Sequence, residues 1–122
     1  MDTHSYGRVQ ALPPEANRAA VIGEFGGVTL RIPEHTWGAG DAASKPLAPS
    51  EPFTDDYLKQ LKAYQALVNK PGVSGMIYTQ LTDVENELNG LLTYDRLPKI
   101  NVQRTAAEHA GIISRPPSPI SK

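Results

Sequence analysis

In "RAAVIGEFGGVTLR", residues 18–31, a carboxylate, Glu24, is set between Gly23 and Phe25 at the end of an apolar run. A loop that only had to turn would not need the acid, and a strand that only had to pack would not need the glycines. Two further clusters carry groups able to do chemistry. "DTHSY" offers Asp2, His4 and Tyr6, and "YTQLTDVENE" offers Tyr78, Gln80, Asp83, Glu85 and Glu87. Carboxylates at strand ends are the material of general acid–base and nucleophilic catalysis, but such work takes two of them at a spacing that selects the reaction. Trp37, the single tryptophan, lies in "EHTWG" and offers a flat platform for a sugar ring.

Plainer readings stand beside these. Glu24 could solvate a strand end, His4 and Tyr6 could be ordinary terminal loop residues, and Trp37 could plug a hydrophobic gap. Asp83, Glu85 and Glu87 could be a solvated loop or a Ca²⁺ site built from carboxylate oxygens. From the residues alone, the reading stops at part of an α/β enzyme with an acidic, aromatic-lined site.

The elements that must position these groups follow from pattern. Residues 1–17 read as a loop, with Gly7, Pro13 and Pro14 against regular structure. Ala19–Gly23 is a short apolar run that fits a strand buried on both faces. Residues 33–53 hold four prolines and two glycines and read as a long connection. Thr54 reads as an N-cap for a helix over 55–69, with Asp55 and Asp56 in its first turn and Tyr57, Leu61, Tyr64 and Val68 on its core stripe. Asn69, Pro71 and Gly72 stop it. A second strand is expected over 73–81 and a short strand or turn near Leu91–Tyr94. A second helix follows Asn101 and runs to about Ala110, and 111–122 reads as a Pro/Ser-rich, disordered tail. Strand and helix alternate, which points to parallel βα units.

The totals narrow the classes. The chain has 122 residues, 39% of them hydrophobic, which is enough for one small domain. A net charge of −1 gives no electrostatic case for nucleic acid or an anionic membrane. With no cysteine, neither a disulfide framework nor a thiolate metal site is possible. No run reaches the roughly 20 apolar residues of a membrane span, and "MDTHSYGRVQ" lacks the pattern of a signal peptide.

Taken together, "DTHSY", "NRAAVIGEFGG", "HTWG" and "GMIYTQLTDVENELNGLLTYDRLPK" resemble the end of the catalytic domain of family 2 glycoside hydrolases, the β-galactosidase-like enzymes. The resemblance covers about residues 2–110. It implies a C-terminal fragment of a (β/α)8 TIM barrel, from the end of strand 6 through helix 8, and retaining hydrolysis of β-glycosides without cofactor or metal. Glu24 matches the family's nucleophile, and Tyr6 the hydroxyl that orients it. His4, Trp37, Tyr78, Gln80 and Asp83 become candidate sugar contacts. Tyr78 or Thr79 stands where the family usually places a Trp under the sugar.

The family's acid, an Asn-Glu pair, has no counterpart here, because Asn86-Glu87 lies beyond the last strand motif. A barrel takes about 250 residues, so the resemblance implies that the isolated chain is inactive and that the start at Met1 reflects truncation. The rival expectation is a small non-catalytic binding or assembly protein that complements a partner chain or self-associates.

Overall fold

The computed structural model describes residues 1–7, 10–13, 15–38, 47–68 and 73–114. Its elements run in the order β1 (Asp2–Tyr6), β2 (Ala20–Gly26), a single 3-10 turn (Pro33–His35), α1 (Glu51–Val68), β3 (Val73–Thr79) and α2 (Val102–Ile113). The three strands form one parallel sheet in the order β1-β2-β3. The α/β alternation expected from the sequence is present. The barrel reading is corrected: three parallel strands and two helices are too small and too strand-poor for a stretch of (β/α)8 barrel reaching from strand 6 to helix 8. The described sheet is open, with β1 and β3 each paired on one side only.

Polar residues make β1, which the composition places in a loop. Ser5 is buried while Asp2, His4 and Tyr6 are exposed, the alternation of a half-covered strand. Tyr64 of α1 fixes it by donating its hydroxyl to the Ser5 carbonyl at 2.5 Å. β2 extends past the expected Gly23 through Glu24 to Gly26. Ile22 and Phe25 are both 1% exposed, although plain alternation would send residues three apart to opposite faces. An irregularity in the β2–β3 register between them returns Phe25 to the core. β3 stops at Thr79, so Gln80 and Leu81 follow the strand.

Ser50, not Thr54, caps α1. Its Oγ accepts the Phe53 N–H at 3.3 Å, and its carbonyl accepts the Thr54 N–H at 2.9 Å. Pro52 is tolerated because the first turn has no intrahelical partner for its missing N–H. Thr54 is instead buried within the helix, donating its hydroxyl to the Ser50 carbonyl at 2.7 Å and accepting the Asn101 N–H at 2.9 Å. The expected stop at Asn69, Pro71 and Gly72 lies outside the described residues. Asn101 caps α2 through its side chain, 3.1 Å from the Arg104 nitrogen, as its place before the helix suggests. α2 then carries on beyond Ala110 to Ile113, into the stretch read as tail. Near Leu91–Tyr94 the turn is present and the strand is not: Tyr94 and Asp95 turn, closed by the Arg96 N–H on the Thr93 carbonyl at 3.0 Å, beside isolated bridges from Leu92 to Thr82 and Pro98.

The core lies between one face of the sheet and α1. Ile22 and Phe25 meet Phe53, Tyr57, Leu61 and Tyr64, with Leu91 and Ile100 closing the cluster. Phe25 packs against Tyr64 at 4.3 Å between ring centroids. Each such side chain contributes about 1.5–3 kcal/mol on burial. Ile77 lies between Met76 and Tyr78 on β3, points the other way and is 57% exposed. Among the described residues, no helix is long and apolar enough to cross a membrane.

Candidate functional site

The residues that turn away from α1 on β1 meet Glu24. The register sets His4 beside Glu24 and Tyr6 beside Gly26, with an irregularity between Thr3 and His4. The Tyr6 hydroxyl donates to Glu24 Oε2. His4 Nδ1 is 3.4 Å from the same oxygen, and its Nε2 is 3.3 Å from Asp2 Oδ2. Asp2 Oδ1 accepts the Gly23 N–H at 2.8 Å. The glycine at 23 follows from this contact, because a Cβ there would lie 2.1 Å from Asp2 Oδ1. Gly27, at φ +75, leaves room for the Tyr6 ring, which would stand 2.8 Å from a Cβ. The side chain of Glu24 remains 37% exposed, open to a ligand.

Donation to the Glu24 carboxylate raises the Tyr6 hydroxyl above its ordinary pKa, and burial adds to this. A side-chain hydrogen bond from Thr79 pulls the other way, and the charges of Glu24 and Glu87 push it up further. Tyr6 therefore keeps its proton and offers it to Glu24 as a hydrogen bond.

The remaining candidates divide. Gln80 joins the network next door, donating to Asn89 Oδ1 at 2.8 Å and to Glu87 Oε2 at 3.4 Å. Tyr78 does not present a face to a sugar. Its ring stands edge-on to Phe25 at 5.4 Å and to Tyr57 at 4.8 Å, its hydroxyl reaches the Asn89 carbonyl at 3.3 Å, and burial pushes its pKa up.

Asp83 is only 2% exposed and lies in the interior, not at the site surface. Its Oδ1 takes the Lys99 ammonium at 2.7 Å and the Gly90 N–H at 2.9 Å, and Lys99 also donates to the Leu30 and Leu88 carbonyls. The Ca²⁺ reading loses this carboxylate to Lys99. Among the described residues, no group of three His, Cys, Asp or Glu side chains could hold a metal ion.

Trp37 is 53% exposed on the loop after the 3-10 turn. A pair the sequence did not reveal anchors that loop: buried His35, whose Nδ1 lies 2.7 Å from Asp95 Oδ2, while Asp95 Oδ1 accepts the Thr93 hydroxyl at 2.5 Å. Burial alone would raise the Asp95 pKa, but the hydrogen bonds from Thr93 and His35 outweigh it and hold the carboxyl below its usual range. The two residues are 60 positions apart, so no local spacing could have signalled them. A separate depression of about 380 Å³, between Gly7, Val28 and the Asp56, Lys59, Gln60 and Ala63 side of α1, is not lined by Glu24.

The arrangement is a small α/β sheet with a half-exposed carboxylate held at its strand ends, next to an aromatic hydroxyl and an imidazole. Comparison of the chain with protein-family models and with curated proteins found no match.

Proposed function

We propose that this chain carries the nucleophile half of a retaining β-glycosidase site, of the family 2, β-galactosidase-like kind that its motifs resemble. One observation carries the reading: Glu24 is exposed to a ligand yet gripped through Oε2 by the Tyr6 hydroxyl. In the reaction, a Glu24 oxygen bonds to the anomeric carbon and the bond from that carbon to the leaving oxygen breaks. The electron pair departs with the aglycone, which takes a proton from an acid. Water then hydrolyses the glycosyl ester and loses a proton to the same group.

That acid must stand about 5–5.5 Å from the nucleophile. Of the carboxylates around the site, Asp2 has both its oxygens facing donors, Gly23 N–H and His4 Nε2, and Glu87, whose charge reaches Tyr6, accepts from Gln80. We therefore assign the acid to a partner chain or a further segment, and expect this chain alone to hydrolyse ordinary glycosides about 10²–10⁴-fold more slowly than a complete site. Ile77 and Leu81, 57% and 66% exposed on and just after β3, favour a polypeptide partner on that side.

The test uses a substrate that needs no acid. A dinitrophenyl β-galactoside with fluorine in place of the hydroxyl next to the anomeric carbon loses a stable phenolate unaided, and its glycosyl ester hydrolyses slowly. Incubation with the full chain is expected to add one fluorosugar by intact mass, mapped to Glu24 and absent in Glu24→Gln. No adduct, or an adduct elsewhere, overturns the reading. In that event, the non-catalytic assembly role suggested by Ile77 and Leu81 becomes the better account.

A further inference from the structure

Both contacts to the Glu24 carboxylate fall on one oxygen. The Tyr6 hydroxyl donates to Oε2 and His4 Nδ1 stands 3.4 Å from it, so Oε1 is the oxygen that no described side chain engages. His4 is itself held from behind. Its Nε2 is 3.3 Å from Asp2 Oδ2, and Asp2 is pinned through Oδ1 to the Gly23 N–H at 2.8 Å. The chain of contacts thus runs from backbone to carboxylate to imidazole to carboxylate, and a side chain at position 23 would break it at its first link.

We propose that Asp2 and His4 are positioning residues for Glu24, which with Tyr6 immobilise Oε2 and leave Oε1 as the oxygen that bonds to the sugar. The proposal rests on the nucleophile reading above. A free carboxylate rotates and presents its two oxygens equally. Fixing one aims the lone pairs of the other, the kind of orientation on which a bimolecular attack depends. An imidazole facing carboxylates with both ring nitrogens donates to both only when doubly protonated, since the neutral ring has a single N–H. Asp2 therefore does more than fill space. Its carboxylate sets the His4 ring between two acids, one facing each ring nitrogen. This differs from a sugar-binding role for His4, which would leave Glu24 unaffected.

Two readouts on the full chain test it. In labelling with the dinitrophenyl fluorosugar, His4→Phe and Asp2→Asn are each expected to lower the maximal inactivation rate about tenfold or more, with little change in the concentration for half-maximal rate. The reverse pattern, an unchanged maximal rate with a raised half-saturating concentration, would make His4 a sugar contact and overturn the proposal.

Long-range proton–nitrogen NMR of the three imidazoles does not depend on labelling. Glu24→Gln and Asp2→Asn are each expected to move the His4 signals while those of His35 and His109 stay in place. A His4 ring indifferent to both substitutions overturns the tie. If the wild-type chain takes no label, the nucleophile reading falls on that result, and the NMR still decides whether His4 joins the two carboxylates.

Discussion

Asp83 and Glu24 are both carboxylates with a nitrogen-bearing side chain beside them, Lys99 and His4, yet they do opposite things. Asp83 and Lys99 are 2% and 1% exposed, and the Lys99 ammonium spends three contacts on Asp83, Leu30 and Leu88. That group ties the loop after β2, the turn after β3 and the approach to α2 into one body. Its geometry leaves no room for a ligand. Glu24 is held on a single oxygen at a strand end and is more than a third exposed. Both carboxylates take their printed contacts on one oxygen, but a charge buried with its cation is structure, and a charge held at the surface is available for chemistry. The second arrangement adds little to stability, since exposed ion pairs contribute little.

The largest effect should come from breaking the buried pair. Lys99→Met leaves Asp83 buried without its cation and is expected to destabilise the chain by about 3–5 kcal/mol, read by urea denaturation. Adding Asp83→Leu should recover much of that, because the double change leaves no unpaired charge. Glu24→Gln, by contrast, should move stability by less than about 1 kcal/mol. A Glu24→Gln loss as large as that of Lys99→Met would sink the distinction between the two carboxylates.

The same contrast divides the tyrosines and gives a pH test of intermediate size. Tyr6 is raised first by the hydrogen bond it gives Glu24. Tyr57 is raised to about 12 by burial beneath the sheet, where its hydroxyl meets His109 Nε2 at 2.7 Å. Tyrosine titrates near 10 in an unfolded chain. Below that pH both states keep the proton and stability is complete. Between about 10 and 12 only the unfolded chain loses it, so stability falls as pH rises through this window. At about 1.4 kcal/mol per pH unit, the loss attributable to Tyr57 is on the order of 2–3 kcal/mol. Denaturation curves at pH 9 to 12 should show that fall, and Tyr57→Phe should lessen it without abolishing it, because burial raises Tyr78 as well. Tyr6→Phe should leave it in place.

What the sequence made legible, and what it hid, follows the same physics. α1 announced itself because Tyr57, Leu61 and Tyr64 recur at helical spacing and all three reach the core. The cap eluded the pattern because Ser50 and Thr54 are both good capping residues, and only the depth of Thr54 within the helix decides between them. β1 was hidden by its composition. Asp2, Thr3, His4, Ser5 and Tyr6 carry no apolar alternation, and the strand is specified by Tyr64 holding the Ser5 carbonyl from 59 positions away. Within the site, Glu24 was legible from the glycines around it. The use of Gly23, to admit Asp2, was not, since that contact joins two strands. Asp83 was misplaced for the same reason: an acid in an acidic loop looks solvated until Lys99, 16 residues on, folds over it.

The smallest effect belongs to Trp37, and it sharpens the contrast from the exposed side. An exposed large apolar residue adds little to stability, so Trp37→Ala should change the unfolding free energy by no more than about 0.5 kcal/mol. Its loop stays anchored by His35 and Asp95, which the substitution does not touch. If Trp37 is a sugar platform, the variant should also need more fluorosugar for half-maximal labelling while the maximal rate holds. That is the inverse of the expected His4→Phe result, because a stacking residue contributes to binding the sugar and a positioning residue to the attack on it. An unchanged concentration dependence would return Trp37 to the ordinary surface and leave the grip on Glu24 as the whole of the site this chain supplies.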